Sequence, residues 1–170
     1  MAVQKPVQVV SGRLQEVAAL DSSAGAGDAG KIVALDSTGR IAATMMPVGI
    51  SADTASITAS ENLSAGDFVS VWNDSGTVKV RKADATTSGK ECDGFVLASA
   101  TSGNAASVYF EGQNTQLTSL TLGARYYLAA TAGTITATPP SSTGNVVQYI
   151  GKAISATALS FEPDQGIILA

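Results

Sequence analysis

The chain has no histidine, one cysteine, one tryptophan and few aromatic residues of any kind (5%), and only 14% of its residues are charged. Without histidine, Ser-His and Cys-His nucleophilic systems are excluded, as are the usual zinc and haem ligand sets. With Cys92 alone no internal disulfide can form, which leaves the redox compartment open. Cys92 lies in GKECDGF between Glu91 and Asp93, whose charges raise a thiol pKa, so it reads as structural and not as a nucleophile. No apolar run approaches a membrane span, and MAVQKPVQVV lacks the apolar core of a signal peptide. The expectation is a soluble chain made in the cytoplasm, in which the Asn-x-Ser matches at Asn62 and Asn73 carry little weight as glycosylation sites.

What the chain does have is small and neutral. Its 170 residues suit one domain, or a domain plus an arm, and are enough to bury a core. Much of the 45% hydrophobic content is alanine and valine, which predicts a thin, finely packed core under a Ser/Thr/Gly/Asn surface. The net charge of −4 argues against nucleic acid as a partner, because phosphate binding needs a concentrated cationic field. Lys79, Arg81 and Lys82 form the one basic cluster; Lys79 and Arg81 alternate on a predicted strand and read as a solvated face.

Helical periodicity is nearly absent. Only RLQEVAAL (13–20) passes as an amphipathic turn or two, and strand pairing with the preceding VQVVSG competes. DSSAGAGDAG (21–30) reads as a linker or extended loop. From residue 31 onward short β-rich runs alternate with turn residues, which predicts an all-β domain. Three hairpins stand out: KIVALDSTGRIAA with Asp36 and Gly39 at its turn, DFVSVWNDSGTVKVRK with Asp74 and Gly76, and RYYLAATAGTITAT with Gly133. Asp or Asn entering a turn caps the backbone, and Gly supplies positive φ where the strand restarts. In the second hairpin Phe68, Val71 or Trp72, Val78 and Val80 compete for the core face, so either both faces are covered or Trp72 meets a partner. Pro139-Pro140 is a stiff step that ends strand pairing.

The chain also repeats itself. Leu63-Ser-Ala-Gly66 recurs as Leu120-Thr-Leu-Gly123, and Gly76-Thr77-Val78 recurs as Gly133-Thr134-Ile135, both at an offset of 57 (120 − 63). Thr86 and Thr143, Gly94 and Gly151, and Leu97 and Ile154 match at the same offset. Phe110-Glu111 then matches Phe161-Glu162 at 51 (161 − 110), as though the second copy had lost six residues. Constant order and spacing predict a small β-barrel or sandwich built from two similar halves, about 54–112 and 113–170. It is preceded by an N-terminal arm and loop (1–29) and by a hairpin and connector (30–53).

The remaining acid–base candidates are fourteen Asp and Glu residues. Asp36, Asp67, Asp74 and Asp84 sit where turns want them, and no D-x-D-x-D spacing marks a calcium loop. GAGDAGK (25–31) has glycines of a phosphate loop but lacks the second glycine before a Lys-Ser/Thr pair, and reads as a tether. No cofactor, metal site or catalytic residue is expected.

GKIVALDSTGRIAATMMPVGI (30–50) resembles a segment of tailed-bacteriophage virion proteins, in which G-K-x-x-x-L-D-x-x-G-x-[IL] precedes a Met/Leu-Pro-x-Gly step. The matching positions are Gly30, Lys31, Leu35, Asp36, Gly39, Ile41, Met46, Pro47 and Gly49. LSAGDFVSVWNDSGTVKVRKADATTSGK and GARYYLAATAGTITATPPSSTGNVVQYIGKAISATALSFEP are similar to capsid decoration (cement or head-fibre) proteins and to some tail-fibre tips. The resemblance implies a β-rich, often trimeric structural protein on the outside of a virion, with the major capsid protein and itself as partners. It implies no nucleic-acid or membrane partner and no catalytic residue. Candidate capsid or subunit contacts are Lys5, Val7, Val9, Arg13, Leu14 and Val17 in the arm, and Met45 and Met46 as adaptable apolar contacts. The arm either adds a strand to a capsid or neighbouring-subunit sheet or pairs with the chain's own barrel. Two further functions stay open. A tail-fibre tip or receptor-binding domain would need an aromatic or polar glycan pocket, drawing on Trp72, Tyr126 and Tyr127, and the weakest alternative is a carboxylate-using hydrolase embedded in a virion.

Overall fold

The computed structural model describes residues 6–35, 39–42, 45–46 and 53–170, and its contacts divide the chain into two compact units, 1–51 and 52–170. In the first unit β1 (Val7–Val10) pairs antiparallel with β2 (Arg13–Glu16) as a two-stranded sheet. Residues 7–16 thus form a hairpin, the strand pairing that competed with a helical turn at 13–20. Its two-residue turn explains why: Ser11 (φ 53°) and Gly12 (φ 78°) both take positive φ, the type I′ geometry that matches strand twist. Further on, Leu20 bridges Val33 in parallel, with Leu20 N–H donating to Ile32 C=O (2.8 Å) and Ala34 N–H to Leu20 C=O (2.7 Å). These bonds span the 29/30 boundary expected from the sequence. Among the described residues no ladder joins 31–35 to 39–42 and Val33 bridges Leu20, while residues 36–38 of the first expected hairpin's turn lie outside the described residues. Asp36 lies outside the described residues.

The second unit begins with a closed barrel. Its strands are β3 (Thr54–Ala59), β4 (Phe68–Asp74), β5 (Thr77–Lys82), β6 (Gly94–Val96) and β7 (Ala105–Tyr109), in the order β3-β5-β4-β6-β7 and back to β3. The β4–β5 turn is the expected one, with Ser75 at φ 54° and Gly76 at φ 91°. Asn73, not Asp74, caps it by accepting from Gly76 N–H (2.7 Å), while Asp74 pairs with Lys79 (2.6 Å). Strand alternation sends Val69, Val80, Val96 and Val108 into the barrel with Ala59, Leu63 and Ala106. Val78 shares the parity of Val80 but lies at the hairpin tip, beyond the last β3 pairing, and is exposed. Trp72 faces the other way and meets a partner: the Arg81 guanidinium lies 4.6 Å from its ring centroid, and its indole N–H reaches Ser60 Oγ at 3.4 Å.

The remaining strands are β8 (Gly112–Asn114), β9 (Arg125–Leu128), β10 (Ile135–Thr136), β11 (Val146–Val147), β12 (Tyr149–Ala153), β13 (Leu159–Phe161) and β14 (Ile167–Ile168). β11 pairs with β14, and the other five form a sheet in the order β10-β9-β12-β13-β8. That is the barrel order β5-β4-β6-β7-β3 opened at one seam. Individual bonds repeat at the offset of 57. Gly66 N–H to Val96 C=O (2.8 Å) recurs as Gly123 to Ala153 (2.9 Å), and Val96 to Asp67 (3.0 Å) recurs as Ala153 to Ala124 (3.0 Å). The pairs Phe95↔Tyr109 and Val96↔Val108 recur as Lys152↔Ser160 and Ala153↔Leu159, with the later strand displaced by 51. The hairpins differ: Leu128↔Ile135 leaves a longer connection around Gly133 than the two-residue turn at Gly76.

Barrel and sheet share a core. Phe68 and Phe95, on the barrel's outer face, pack with Tyr126, Leu128, Ile150, Leu159 and Phe161 from the sheet, and alanines 83, 85 and 153 fill between them. Phe95 meets Phe161 edge-on at 5.2 Å and stacks on Tyr109 at 5.4 Å. Each fully buried phenylalanine stabilises the fold by roughly 1.5–3 kcal/mol. Backbone bonds also cross between the two: Phe68 N–H to Gly133 C=O (2.9 Å), Gly133 N–H to Ala83 C=O (2.8 Å) and Ala85 N–H to Ala129 C=O (2.9 Å). Both faces of β4 and β6 are therefore covered.

Candidate functional site

The β1–β2 register, Val7↔Glu16, Gln8↔Gln15, Val9↔Leu14 and Val10↔Arg13, sorts the side chains by face. Directly opposed residues share a face, so Val7, Val9, Leu14 and Glu16 lie on one and Gln8, Val10, Arg13 and Gln15 on the other. Every residue of both strands is exposed, the apolar residues included: Val7 57%, Val9 63%, Leu14 76%. Three of the residues expected to make contacts are thus gathered on one apolar patch. Arg13 is on the opposite face, Val17 lies past the strand with its N–H bonded to Pro6 C=O (2.9 Å), and Lys5 lies outside the described residues.

Met45 and Met46 are half-buried. Met45 helps line a cavity of about 140 Å³ with Leu20, Ile32 and Val33, beside Asp28 and Lys31, so it packs within its own unit. The 21–30 segment is more organised than a tether. A single 3₁₀ turn (Ala26–Asp28) places the Asp28 carboxylate to accept from Ala24 N–H (2.7 Å) and Lys31 Nζ (2.8 Å). The hydrogen bond from Lys31, then that from Ala24, holds Asp28 below the usual carboxylate range. Gly39 is exposed with φ 79°.

In the second unit several buried ionisable groups are bound to local structure. Cys92 is buried, its Sγ bonded to Gly94 C=O (3.3 Å); burial is the main force pushing its thiol up, with Asp93 adding to it. Gln148, also buried, accepts from Cys92 N–H (2.7 Å) and donates to the carbonyls of Cys92 (2.9 Å) and Asp164 (3.0 Å), satisfying its amide completely. Asp84 is buried beside Lys90 (3.0 Å) and caps Thr86 through its N–H (3.0 Å) and Oγ1 (2.6 Å). Among the described residues no three His, Cys, Asp or Glu side chains form a metal-ligating group.

Of the three aromatic residues considered for ligand contact, Trp72 is held by Arg81, and Tyr126 is buried with its hydroxyl accepting from Thr121 N–H (2.9 Å). Tyr127 differs. It faces outward on β9, opposite Tyr149 of β12, with the rings T-shaped and 6.0 Å apart. Arg125 and Asp164 complete a cleft of about 350 Å³ around them. Partial burial, then the charge of Glu162, pushes the Tyr149 phenol up, while Arg125 opposes the shift. Sequence reading named Tyr127 but not its neighbours. Period-two alternation in RYYL puts Arg125 and Tyr127 on one face, but only the β9–β12 pairing brings Tyr149 beside them.

These sites belong to an all-β chain with an exposed two-stranded hairpin and a cleft on its five-stranded sheet. No family model matches the chain, and no curated protein matches it.

Proposed function

We propose that the protein is a structural component of a bacteriophage virion that binds the outside of the capsid and stabilises or decorates it as a homotrimer. The β1–β2 hairpin is its attachment element. One observation carries this reading: a two-stranded hairpin presents Val7, Val9 and Leu14 together on an open apolar face. An isolated two-stranded hairpin is marginal in water and gains stability when its face is covered or its edge paired. A sheet edge of the major capsid protein supplies both, through strand addition with apolar contact on alternate residues. Binding only the assembled shell stabilises that state by mass action. A neutral Ser/Thr surface, with buried groups such as Cys92 and Asp84 committed to local structure, suits a protein that is held in place.

The test is binding to purified capsids. Removing residues 2–29 is expected to abolish it, while the 52–170 unit keeps its thermal unfolding transition. Full binding by the truncated protein rejects attachment through the hairpin. Cryo-electron microscopy of the particle decides between head and tail, since density confined to the tail rejects decoration and favours the receptor-binding alternative. Light scattering of the free protein is expected to give three times the 17.1 kDa chain mass.

A further inference from the structure

We infer that the outer face of the second sheet is a saccharide-binding site, centred on Tyr127 and Tyr149 and selective for neutral sugars. The inference does not rest on capsid attachment, which uses the other unit of the chain. Three observations converge. First, the two tyrosines are direct cross-strand partners, half-buried and edge to face at 6.0 Å, so their ring surfaces are brought together before any ligand arrives. Preorganised aromatic surface with a wet polar tip matches a pyranose ring, which has an apolar C–H face and a rim of hydroxyls. Second, the cleft of about 350 Å³ falls at the lower end of the size range of small-ligand pockets, enough for one or two sugar rings.

Third, the rim carries both donors and acceptors. Arg125 lines the cleft, and Lys152 stands directly across from it on β12, two like charges opposed with no ion pair to either among the described residues. Opposed cations on a sheet are unfavourable unless acceptors approach them. Asp164 lines the same cleft, and Glu162 is near enough to act on the Tyr149 phenol. Two cations and two carboxylates give this region no net charge to select an ion of either sign. They offer instead the fixed donors and acceptors that a ring of neutral hydroxyls can satisfy. The other aromatic candidate lacks this: the Trp72 ring is covered by Arg81.

The experiment is saturation-transfer NMR on the full chain with cellohexaose, chitohexaose and β-galacto-hexaose as neutral probes, and a hyaluronan hexasaccharide as the acidic one. Binding of at least one neutral probe is expected, on the order of millimolar, with amide shifts in 125–127 and 149–152. Tyr127→Ala is expected to weaken it about tenfold or more. Because an alanine at a half-buried ring can disturb the sheet, Asp164→Asn and Arg125→Gln serve as second variants, with folding checked by far-UV circular dichroism and the same loss expected. Absence of binding by all neutral probes, binding of the acidic probe alone, or neutral binding unchanged in Tyr127→Ala and in both polar variants would each overturn the assignment.

Discussion

The carbonyl oxygen of Tyr109 lies 2.6 Å from the point where a Cβ on Gly94 would sit, and the carbonyl of Ser160 crowds the same point on Gly151. These are matching positions of the two copies, with the glycines 57 apart and the carbonyls 51 apart. Both glycines stand where β6 or β12 crosses its neighbour too closely for a side chain, and in each case the obstacle is backbone, which cannot rotate away. Gly94→Ala and Gly151→Ala are each expected to lower stability by about 2 kcal/mol or more, read as a shift in the urea midpoint. A change near zero in either would show that the strands separate freely there.

Gly76 and Gly133 also match in the repeat but differ in surroundings. Both have positive φ (91° and 78°), so Val at either is strained. A Cβ on Gly76 meets open space, whereas one on Gly133 comes within 2.9 Å of Asp67 Oδ1 and 3.2 Å of Lys82 Cδ. Gly76→Val is expected to cost about 1–2 kcal/mol. Gly133→Val is expected to cost more, because it also disturbs the 3.0 Å Asp67–Lys82 ion pair and the Phe68 N–H bond to Gly133 C=O. Equal urea midpoints for the two variants would contradict this ordering.

Two carboxylates act on stability with opposite sign. Burial raises the Asp84 pKa, but hydrogen bonds from Thr86 and Lys90 outweigh it and leave a net depression below the ordinary 3.8. Asp84 therefore contributes stability that is fully present above 3.8 and is lost as pH falls through its lower folded pKa. Asp84→Asn is expected to destabilise by about 2 kcal/mol at neutral pH and to flatten the acid limb of the stability curve. Asp93 is raised, chiefly by burial and also by Glu91, against a bond from Val71 N–H (2.7 Å). Its penalty is absent below 3.8 and fully present above its folded pKa, so Asp93→Asn is expected to stabilise at neutral pH. Thermal unfolding from pH 3 to 7 checks both signs.

Cys92 is expected to resist thiol reagents. Its sulfur is enclosed and its thiol is pushed up by burial, so little thiolate exists at neutral pH. Native protein should show no reaction with Ellman's reagent over minutes, and one equivalent should react in urea. Rapid labelling of the native state would mean that the core around Gln148 opens locally.

Much of the second unit was legible because its signals are local and repeated. The Asn-Asp-Ser-Gly turn fixed the β4–β5 register, and the offset of 57 pointed to two similar halves, between which several backbone bonds recur. Parity alone left Trp72 and Phe68 ambiguous, since it cannot show that β4 is covered on both faces. The first unit was less legible. Ser11-Gly12 carries a type I′ turn, but RLQE has helical composition, so helix and strand pairing both stayed open there. Lys31–Leu35 alternates like a strand, yet among the described residues only Val33 is bridged, to Leu20, across a loop that Asp28 ties to Lys31. The Tyr127–Tyr149 cleft depends on residues 22 apart in sequence (149 − 127) and on a pairing that no local pattern encodes.

β4 sends Phe68 to one core and Val69 to another, and β6 does the same with Phe95 and Val96. A strand that serves two interiors cannot slip by one residue without emptying both. The repeated copies therefore do not behave as separable modules. An isolated 54–112 fragment would expose a face of phenylalanine to water and self-associate. Drift in either copy is constrained by side chains that belong to the other, so the duplication holds its two halves to a shared history of change.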